Sequence, residues 1–582
     1  MVKVRAAQAD EAEALTGLVM RSKAHWGYDA AFLAACAEDL RIRPEDAEAR
    51  RIVVAEDERG TVLGLASLEG DPPRAVLGLL FVEPAAIGRG VGRLLYRDVL
   101  RRAADLGVRT LVIDSDPHAA GFYRAMGADE SGERDGLVRF EAAPAPVPEW
   151  ARVWGGGHGA VHIGNVAEFN TQFQEVSLGR GQRGAHHYSC LAAFYTPWPA
   201  ALVLPAEVPR VWAELVGRCL GWEGVEVYDG VLADEDPGLS DAVRAHPALA
   251  GHLEELGLPL VPWGQSEPFA RLAGRRWNPR SLRYESKAAA HAMFGRIVDD
   301  GGHPGILLPL QWRARTRRQA RRLLAARVTA GQTTVLKTRH GVGGSGTTVV
   351  TPRTVAQAGG IRAVMRRLPR GPLLVEEYVP APVGADGVRD LNYNGFVDGA
   401  GRVHEVGVAL MDVAGTCYQG ATVGPGAVPP WAEKPMLSFG EAVGRELAAV
   451  GYRGWFDVDF VADDRGRLAP TETNLRLTGP SVAFMVRTRL DELRGGAHLV
   501  RVMDRVELGA RLPEVQLERL LTTMTDGCAA LGAQFLPAIA TAAFDPAPWL
   551  GAVVAARTAE ALAEAGQLVR TRARQVGDMF AG

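Results

Sequence analysis

The sequence predicts a multidomain chain of mixed α/β and α+β class, and three observations carry that expectation. Its 582 residues correspond to roughly three to five domains of ordinary size. Strand-like and helical runs alternate through residues 1–142 and stop at EAAPAPVPEW (141–150), whose spaced prolines make a stiff, extended linker over 143–150. Further on, TTVLKTRHGVGGSGTTVV (333–350) sets two β-branched runs on either side of a glycine-rich turn.

Composition narrows the classes. A chain 47% hydrophobic and 23% charged can bury several cores. A net charge of −3 gives no general pull toward nucleic acid. No apolar run approaches the roughly 20 residues of a membrane span. The opening MVKVRAAQADEAEAL carries acidic residues where a signal peptide would be apolar. Cys36, Cys190, Cys219, Cys417 and Cys528 are scattered, with no CxxC, which fits a reducing compartment and gives no zinc signature. The expectation is a cytoplasmic protein with neither nucleic-acid nor membrane partners. Only five of the 65 basic residues are lysines: Lys3, Lys23, Lys287, Lys337 and Lys434. A lysine inside a motif is therefore informative.

In the first 142 residues, RIVVAED and TVLGLASLEG read as a hairpin and AVLGLLFV as an apolar strand. VGRLLYRDVLRRAADLG reads as an amphipathic helix ended by Gly107, TLVIDSD as a strand and HAAGFYRAMG as a short helix. Residues 151–285 hold strand-like AALVLP and GVEVYDG between helical stretches. Residues 286–485 carry most of the chemistry. Residues 486–582 are alanine- and leucine-rich, and DPAPWLGAVVAARTAEALAEAGQLVRTRARQVGD reads as one long helix in a mostly helical C-terminal segment.

Three phosphate-binding devices share the letters of 333–350. A Walker loop needs its lysine after the glycines, whereas Lys337 precedes them. GVGGSG (341–346) matches GxGxxG, but a dinucleotide fold needs a helix after the last glycine, and Thr-Thr-Val-Val follows. The third device is a strand, a flexible glycine turn and an antiparallel return strand, with backbone N–H groups and a strand lysine facing phosphate. Taken alone, the loop could equally be an ordinary flexible one. Downstream, PLLVEEYVP (372–380) is an apolar strand ending in two acids. GWFDVDFVADDRGRLAPTETNLRLTG (454–479) reads as a hairpin. Paired strands can bring Asp459 and Glu472 to one face, with Asn474 two residues on. Magnesium takes such hard oxygen donors together with substrate phosphates.

Four elements in this order, with SKAAAHAMF (286–294) upstream, resemble the ATP-grasp superfamily of ligases. The resemblance implies a pre-ATP-grasp domain (151–285) and an ATP-grasp domain (286–485). It implies ATP held by Lys287, Lys337, Gly343, Gly344, Ser345, Gly346, Glu376, Glu377 and Val379, with the hinge near 376–379 meeting adenine. It further implies Mg2+ held by Asp459, Glu472 and Asn474, and catalytic roles for Lys337 and Arg476. The expected reaction joins a carboxylate to an amine through an acyl phosphate, releasing ADP and phosphate. HIGNVAEFN (162–170) and the helical tail look like the peptide ligases of pheganomycin-type natural-product pathways. That likeness implies amino acids or short peptides as substrates. Specificity is expected around Arg389, Asn392, Asn394 and 412–425; a thiol nucleophile and a homodimer both stay open.

LLFVEPAAIGRGVGRLLYRDVL (79–100) and HAAGFYRAMGA (118–128) resemble the GNAT acetyltransferase superfamily over residues 1–142. That resemblance implies acetyl-CoA held by Phe81, Val82, Gly88, Arg89, Gly90, Val91 and Gly92, with Tyr123 as general acid. Ile87 stands where the family usually has Gln or Arg. Glu83, Asp114 and Asp116 are all candidate general bases. The alternatives are a bifunctional ligase–acetyltransferase and a ligase whose GNAT domain only binds or scaffolds.

Overall fold

A computed structural model describes residues 2–157, 159–173, 182–232, 238–341, 346–368, 371–382 and 387–580. Two compact units emerge. One is Met1–Pro148 with Thr488–Ala497; the other is Glu149–Arg487 with His498–Gly582. The first boundary falls inside the proline-rich stretch.

In the first unit the strands are β1 (Lys3–Ala6), β2 (Val53–Glu56), β3 (Val62–Ala66), β4 (Arg74–Val76), β5 (Leu80–Val82), β6 (Thr110–Ser115), β7 (Asp129–Arg134) and β8 (Leu137–Ala142). They form two sheets, ordered β1-β2-β3-β5 and β4-β6-β8-β7. Alternation along β2 serves both faces of its sheet. Val53 and Ala55 pack in one core with the helix Val91–Asp105. Val54 packs in the other with Leu15, Leu18 and Val19 of the helix Ala12–Ala24. The expected single strand AVLGLLFV is instead two. Leu77 N–H still bonds to Val112 O at 2.9 Å in the β6 sheet, while Leu79 O accepts from Ser67 N–H at 2.9 Å in the β3 direction. The sheet therefore splits at Gly78.

The second unit opens with β9 (Ala160–Ile163), β10 (Pro199–Val203), β11 (Glu226–Tyr228) and β12 (Leu260–Pro262), all parallel in the order β11-β10-β9-β12. His162 on β9 is fully buried. Its Nδ1–H donates to Ala192 O at 2.5 Å, and Nε2 accepts from Thr196 Oγ1 at 2.9 Å. This is a neutral, satisfied core imidazole, and burial pushes its pKa down to about 4. The unfolded chain binds that proton near the ordinary value of about 6.5, so acid favours the unfolded state. Stability should fall as pH drops from about 6.5 toward about 4, by roughly 3 kcal/mol from this residue. Urea unfolding followed by tryptophan fluorescence at pH 7 and pH 5 reads the effect. A His162→Gln variant equally sensitive to acid in that interval would remove His162 as its source.

Next come β13 (Gln311–Ala314), β14 (Thr334–Lys337), β15 (Thr347–Val350) and β16 (Leu373–Glu377), antiparallel in the order β13-β16-β14-β15. This small sheet closes over its own core of Ala314, Ala320, Leu324, Leu336, Val350, Val355 and Val375. The remaining strands are β17 (Asp390–Val397), β18 (Val403–Ala414), β19 (Cys417–Val423), β20 (Gly454–Ala462), β21 (Leu468–Asn474), β22 (Leu499–Glu507), β23 (Gln534–Ile539) and β24 (Trp549–Ala556). They make one antiparallel sheet ordered β21-β20-β17-β18-β19-β22-β24-β23.

The last three strands correct the expectation of a mostly helical C-terminal segment. WLGAVVAA is a strand buried at every position, so it shows no alternation, and an alanine-rich apolar run of that kind resembles a buried helix turn for turn. Only Ala559–Phe580 of the expected long helix is helical. It packs with the helix Glu514–Ala530 over β22–β24.

Candidate active site

The strand–turn–strand device expected at 333–350 is present. β14 and β15 are antiparallel, with Lys337 opposite Thr347, and a strand rather than a helix follows Gly346. That geometry excludes the dinucleotide reading. Thr338 N–H bonds to Gly346 O at 2.9 Å. Gly346 has φ +78°, and a Cβ there would overlap the Thr338 side chain, so only glycine fits the base of the turn. Gly343, Gly344 and Ser345 lie outside the described residues.

Lys337 ends β14 facing a cavity of about 1330 Å3. Its Nζ donates to Glu376 Oε1 at 2.7 Å, and both groups are buried. Gln311 Nε2 donates to Glu376 Oε2 at 2.8 Å. The Glu376 carboxylate of the expected hinge is thus paired with the lysine while lining the cavity. Glu377 and Val379 line the same cavity. Arg389 secures this hinge by donating to Val379 O at 2.8 Å, Pro380 O at 3.1 Å and Ala462 O. It ties the hinge to β20 and also lines the cavity.

Facing Lys337 across the cavity is the β20–β21 hairpin. Asp459 sits opposite Glu472 and Asp457 opposite Asn474, with a bulge after Asp459. Asn392 Nδ2 donates to Asp459 Oδ1 at 2.7 Å. Asn474 Nδ2 donates to Asp457 Oδ1 at 2.7 Å and Asp459 Oδ2 at 3.3 Å. Thr478 Oγ1 donates to Asp457 Oδ2 at 2.6 Å. Burial, then the charge of Asp459, pushes Asp457 up to about 8; burial likewise raises Asp459. Two neighbouring carboxylates, one buried and one half-buried, fit a place where a cation resides. Hard oxygens of Asp457, Asp459, Glu472 and the Asn474 amide suit magnesium. Among the described residues no group of three or more His, Cys, Asp or Glu is placed so that it could hold a metal ion by itself. An ion shared with substrate phosphates needs no such group.

Lys287 begins the helix Lys287–Asp299. Its Nζ is paired with Glu472, and burial followed by the charge of Lys337 pushes it down to about 7. Arg476 is buried, paired with Glu285, and stands over the Phe169 ring at 5.7 Å. Lys287, Lys337, Asp459, Glu472, Asn474 and Arg476 thus line one cavity. Glu285 and Thr478 carry no sequence signal, whereas Asp457 lies two residues before Asp459 on the same strand face, where a regular strand places it. Of the expected specificity residues, Arg389, Asn392, Val413 and Gly415–Gln419 line the cavity. Asn394 is buried inside the sheet, accepting from Trp455 Nε1 at 3.1 Å.

In the first unit, Phe81 and Val82 end β5, and the turn after them leads into the helix Val91–Asp105. Gly88 (φ +80°) and Gly90 (φ +87°) are both left-handed. The backbone of Arg89–Gly92 therefore enters the helix with its first N–H groups unsatisfied by the helix itself, the arrangement that receives pyrophosphate. Tyr123 lies in the core, with ring centroids 5.9 Å from Tyr96, 5.1 Å from Phe122 and 5.7 Å from Phe140. Burial raises its pKa, which makes it a weaker acid. The three candidate bases are committed to cations. Glu83 pairs with Arg21 at 2.8 Å. Asp114 pairs with Arg139 at 2.7 Å and is held below the usual range by it. Burial pushes Asp116 up, but Lys23 at 2.6 Å, the His118 N–H and Tyr28 together hold it low.

Comparisons with known proteins extend these findings. No curated protein matches the chain. Among solved structures, an N5-carboxyaminoimidazole synthetase from Staphylococcus aureus complexed with ADP shares 11% identity. The match covers 72% of this chain and 97% of that one, with a TM-score of 0.41. The biotin carboxylase domain of the 2-oxoglutarate carboxylase of Hydrogenobacter thermophilus, solved with MgADP, shares 12% over 68% and 85% of the two chains, TM-score 0.39. A PaiA N-acetyltransferase from Thermoplasma acidophilum in complex with coenzyme A shares 13% over 25% and 99%, TM-score 0.23. No helix among the described residues is long and apolar enough to cross a membrane. Residues 21–128 match the acetyltransferase (GNAT) family model, so this mixed α/β multidomain chain carries a GNAT acetyltransferase domain at its N-terminal end.

Proposed function

We propose that the second unit is an ATP-dependent carboxylate–amine ligase of the ATP-grasp type. The observation that carries the reading is one cavity with Lys337, on a strand–glycine turn–strand, facing Asp459, Glu472 and Asn474 on the β20–β21 hairpin. In this reading a carboxylate oxygen of the acid attacks the γ-phosphorus, ADP leaves, and an acyl phosphate forms. The amine nitrogen then attacks the acyl carbon, the C–O bond to phosphate breaks, and the nitrogen loses a proton. Asp459, Glu472 and Asn474 would hold magnesium, which would supply charge neutralisation of the phosphates. Lys337, Lys287 and Arg476 supply the remaining positive charge, fixed in place before substrate arrives. The substrates proposed are amino acids or short peptides, with a cytoplasmic role in natural-product peptide assembly.

The test is ATP turnover with Mg2+ against pools of amino acids and short peptides, resolving ADP from AMP, with Glu472→Ala alongside. Substrate-dependent ADP that the variant loses is the expected result. AMP would replace the acyl phosphate by an adenylate and overturn the mechanism.

For the first unit the proposal is acetyl-CoA-dependent N-acetylation. A second reading, CoA binding without transfer, is favoured by the core position of Tyr123 and by the cation pairing of Glu83, Asp114 and Asp116. Labelled acetyl-CoA separates them. Transfer to any amine pool supports the enzyme, and retained CoA binding without transfer supports the scaffold.

A further inference from the structure

The cavity is larger than one ligand requires. Ordinary ligand pockets run to about 300–1,000 Å3, whereas this one measures about 1330 Å3. Its polar groups fall into two sets. One faces β14, β20 and β21. The other lies on β22, four strands from β20 in the sheet order, or about 19 Å along the sheet at about 4.8 Å per strand.

The second set rests on a β-bulge. On β22 and β24, Met503 pairs with Ala552 and Val506 with Leu550, so Asp504 and Arg505 together oppose the single residue Gly551. Neighbours on a regular strand point to opposite faces. A bulge re-aims one of them, and here both Asp504 and Arg505 line the cavity. Tyr188 O–H donates to Asp504 Oδ2 at 2.9 Å. The Arg505 guanidinium lies 4.5 Å over the Trp549 ring, and among the described residues it forms no salt bridge. The Tyr418 hydroxyl, also on the cavity wall, is buried and has no hydrogen-bond partner among the described residues. Burial pushes Asp504 up to about 6, so a cation beside it would be favourable.

We propose that Asp504 and Arg505 bind the zwitterionic head group of a free α-amino acid, carboxylate on Arg505 and ammonium on Asp504. The role of that amino acid as the ligase's second substrate rests on the ligase reading; the binding site itself does not. A guanidinium fork matches a carboxylate in shape and charge. Asp504 beside it disfavours a purely anionic ligand such as a phosphate.

The experiment uses the full chain and saturation-transfer NMR. The probes are the proteinogenic L-amino acids, each with its methyl ester and its N-acetyl derivative. ADP affinity is measured in parallel. At least one free amino acid should bind, with both derivatives about 10- to 100-fold weaker, the size of a lost charged hydrogen bond. Arg505→Met should weaken the free amino acid by a similar factor and abolish discrimination against the ester. Asp504→Asn should abolish discrimination against the N-acetyl derivative. ADP affinity should stay unchanged in both variants. The proposal is overturned if no free amino acid binds, if the derivatives bind equally well, or if both variants bind like the parent. Absence of ADP binding would instead sink the ligase reading and leave the amino-acid result to stand by itself.

Discussion

Lys337→Met is expected to lower ATP-dependent turnover by about two to three orders of magnitude, the usual effect of removing one preorganised charge from a phosphoryl-transfer site. It should also destabilise the protein. Glu376 is buried at 4% exposure and loses its cation, and breaking a buried pair from one side costs about 3–5 kcal/mol. The two effects separate in the double variant Lys337→Met/Glu376→Gln. The amide keeps the Gln311 contact without a charge to compensate, so urea stability should return toward the parent value while turnover stays low. Recovery of turnover in the double variant would show that the lysine is structural only.

The second large effect belongs to Asp459→Asn. Turnover should fall by about two orders of magnitude or more, because the hairpin loses a central oxygen donor. Stability should move the other way. The charge of half-buried Asp459 raises its buried neighbour Asp457, and the substitution removes that repulsion. The pH dependence carries the sign. Asp457 has a folded pKa of about 8, above its unfolded value. The folded state therefore binds the extra proton, and stability declines as pH rises from about 4 toward about 8. In Asp459→Asn that decline should flatten. Thermal melts across this range, without added metal, check it. A variant that melts lower than the parent at every pH would contradict that repulsion.

The parts legible in the sequence are those whose signal is local. The β14–glycine–β15 turn, the β20–β21 hairpin and the left-handed glycines before the helix Val91–Asp105 each declare themselves within about 25 residues. What escaped is long-range. Lys337 meets Glu376 across 39 residues, and Arg476 meets Glu285 across 191. No local pattern announces such a partner, so the pairing of the hinge carboxylate with Lys337 is not legible in the sequence. AVLGLLFV gave no hint that it divides between two sheets. WLGAVVAA hid its strand because both of its faces are buried. The bulge at Asp504–Arg505 is invisible for a related reason: two residues oppose the single Gly551 of a strand far along the chain, and no local pattern marks the extra one.

The small sheet β13–β16 has a further property. Leu336 faces that sheet's own core, while its peptide neighbour Lys337 faces the cavity. Substitutions in this core and in the sheet that bears Asp459 touch different neighbours, so their unfolding free energies should sum. Their kinetic effects should not. Any void opened beneath Leu336 shifts the backbone that aims Lys337, and the ammonium and the hairpin carboxylates serve one phosphate. Double-mutant cycles would then find the protein additive as a folded object and coupled as a catalyst, with the dividing line running through a single strand.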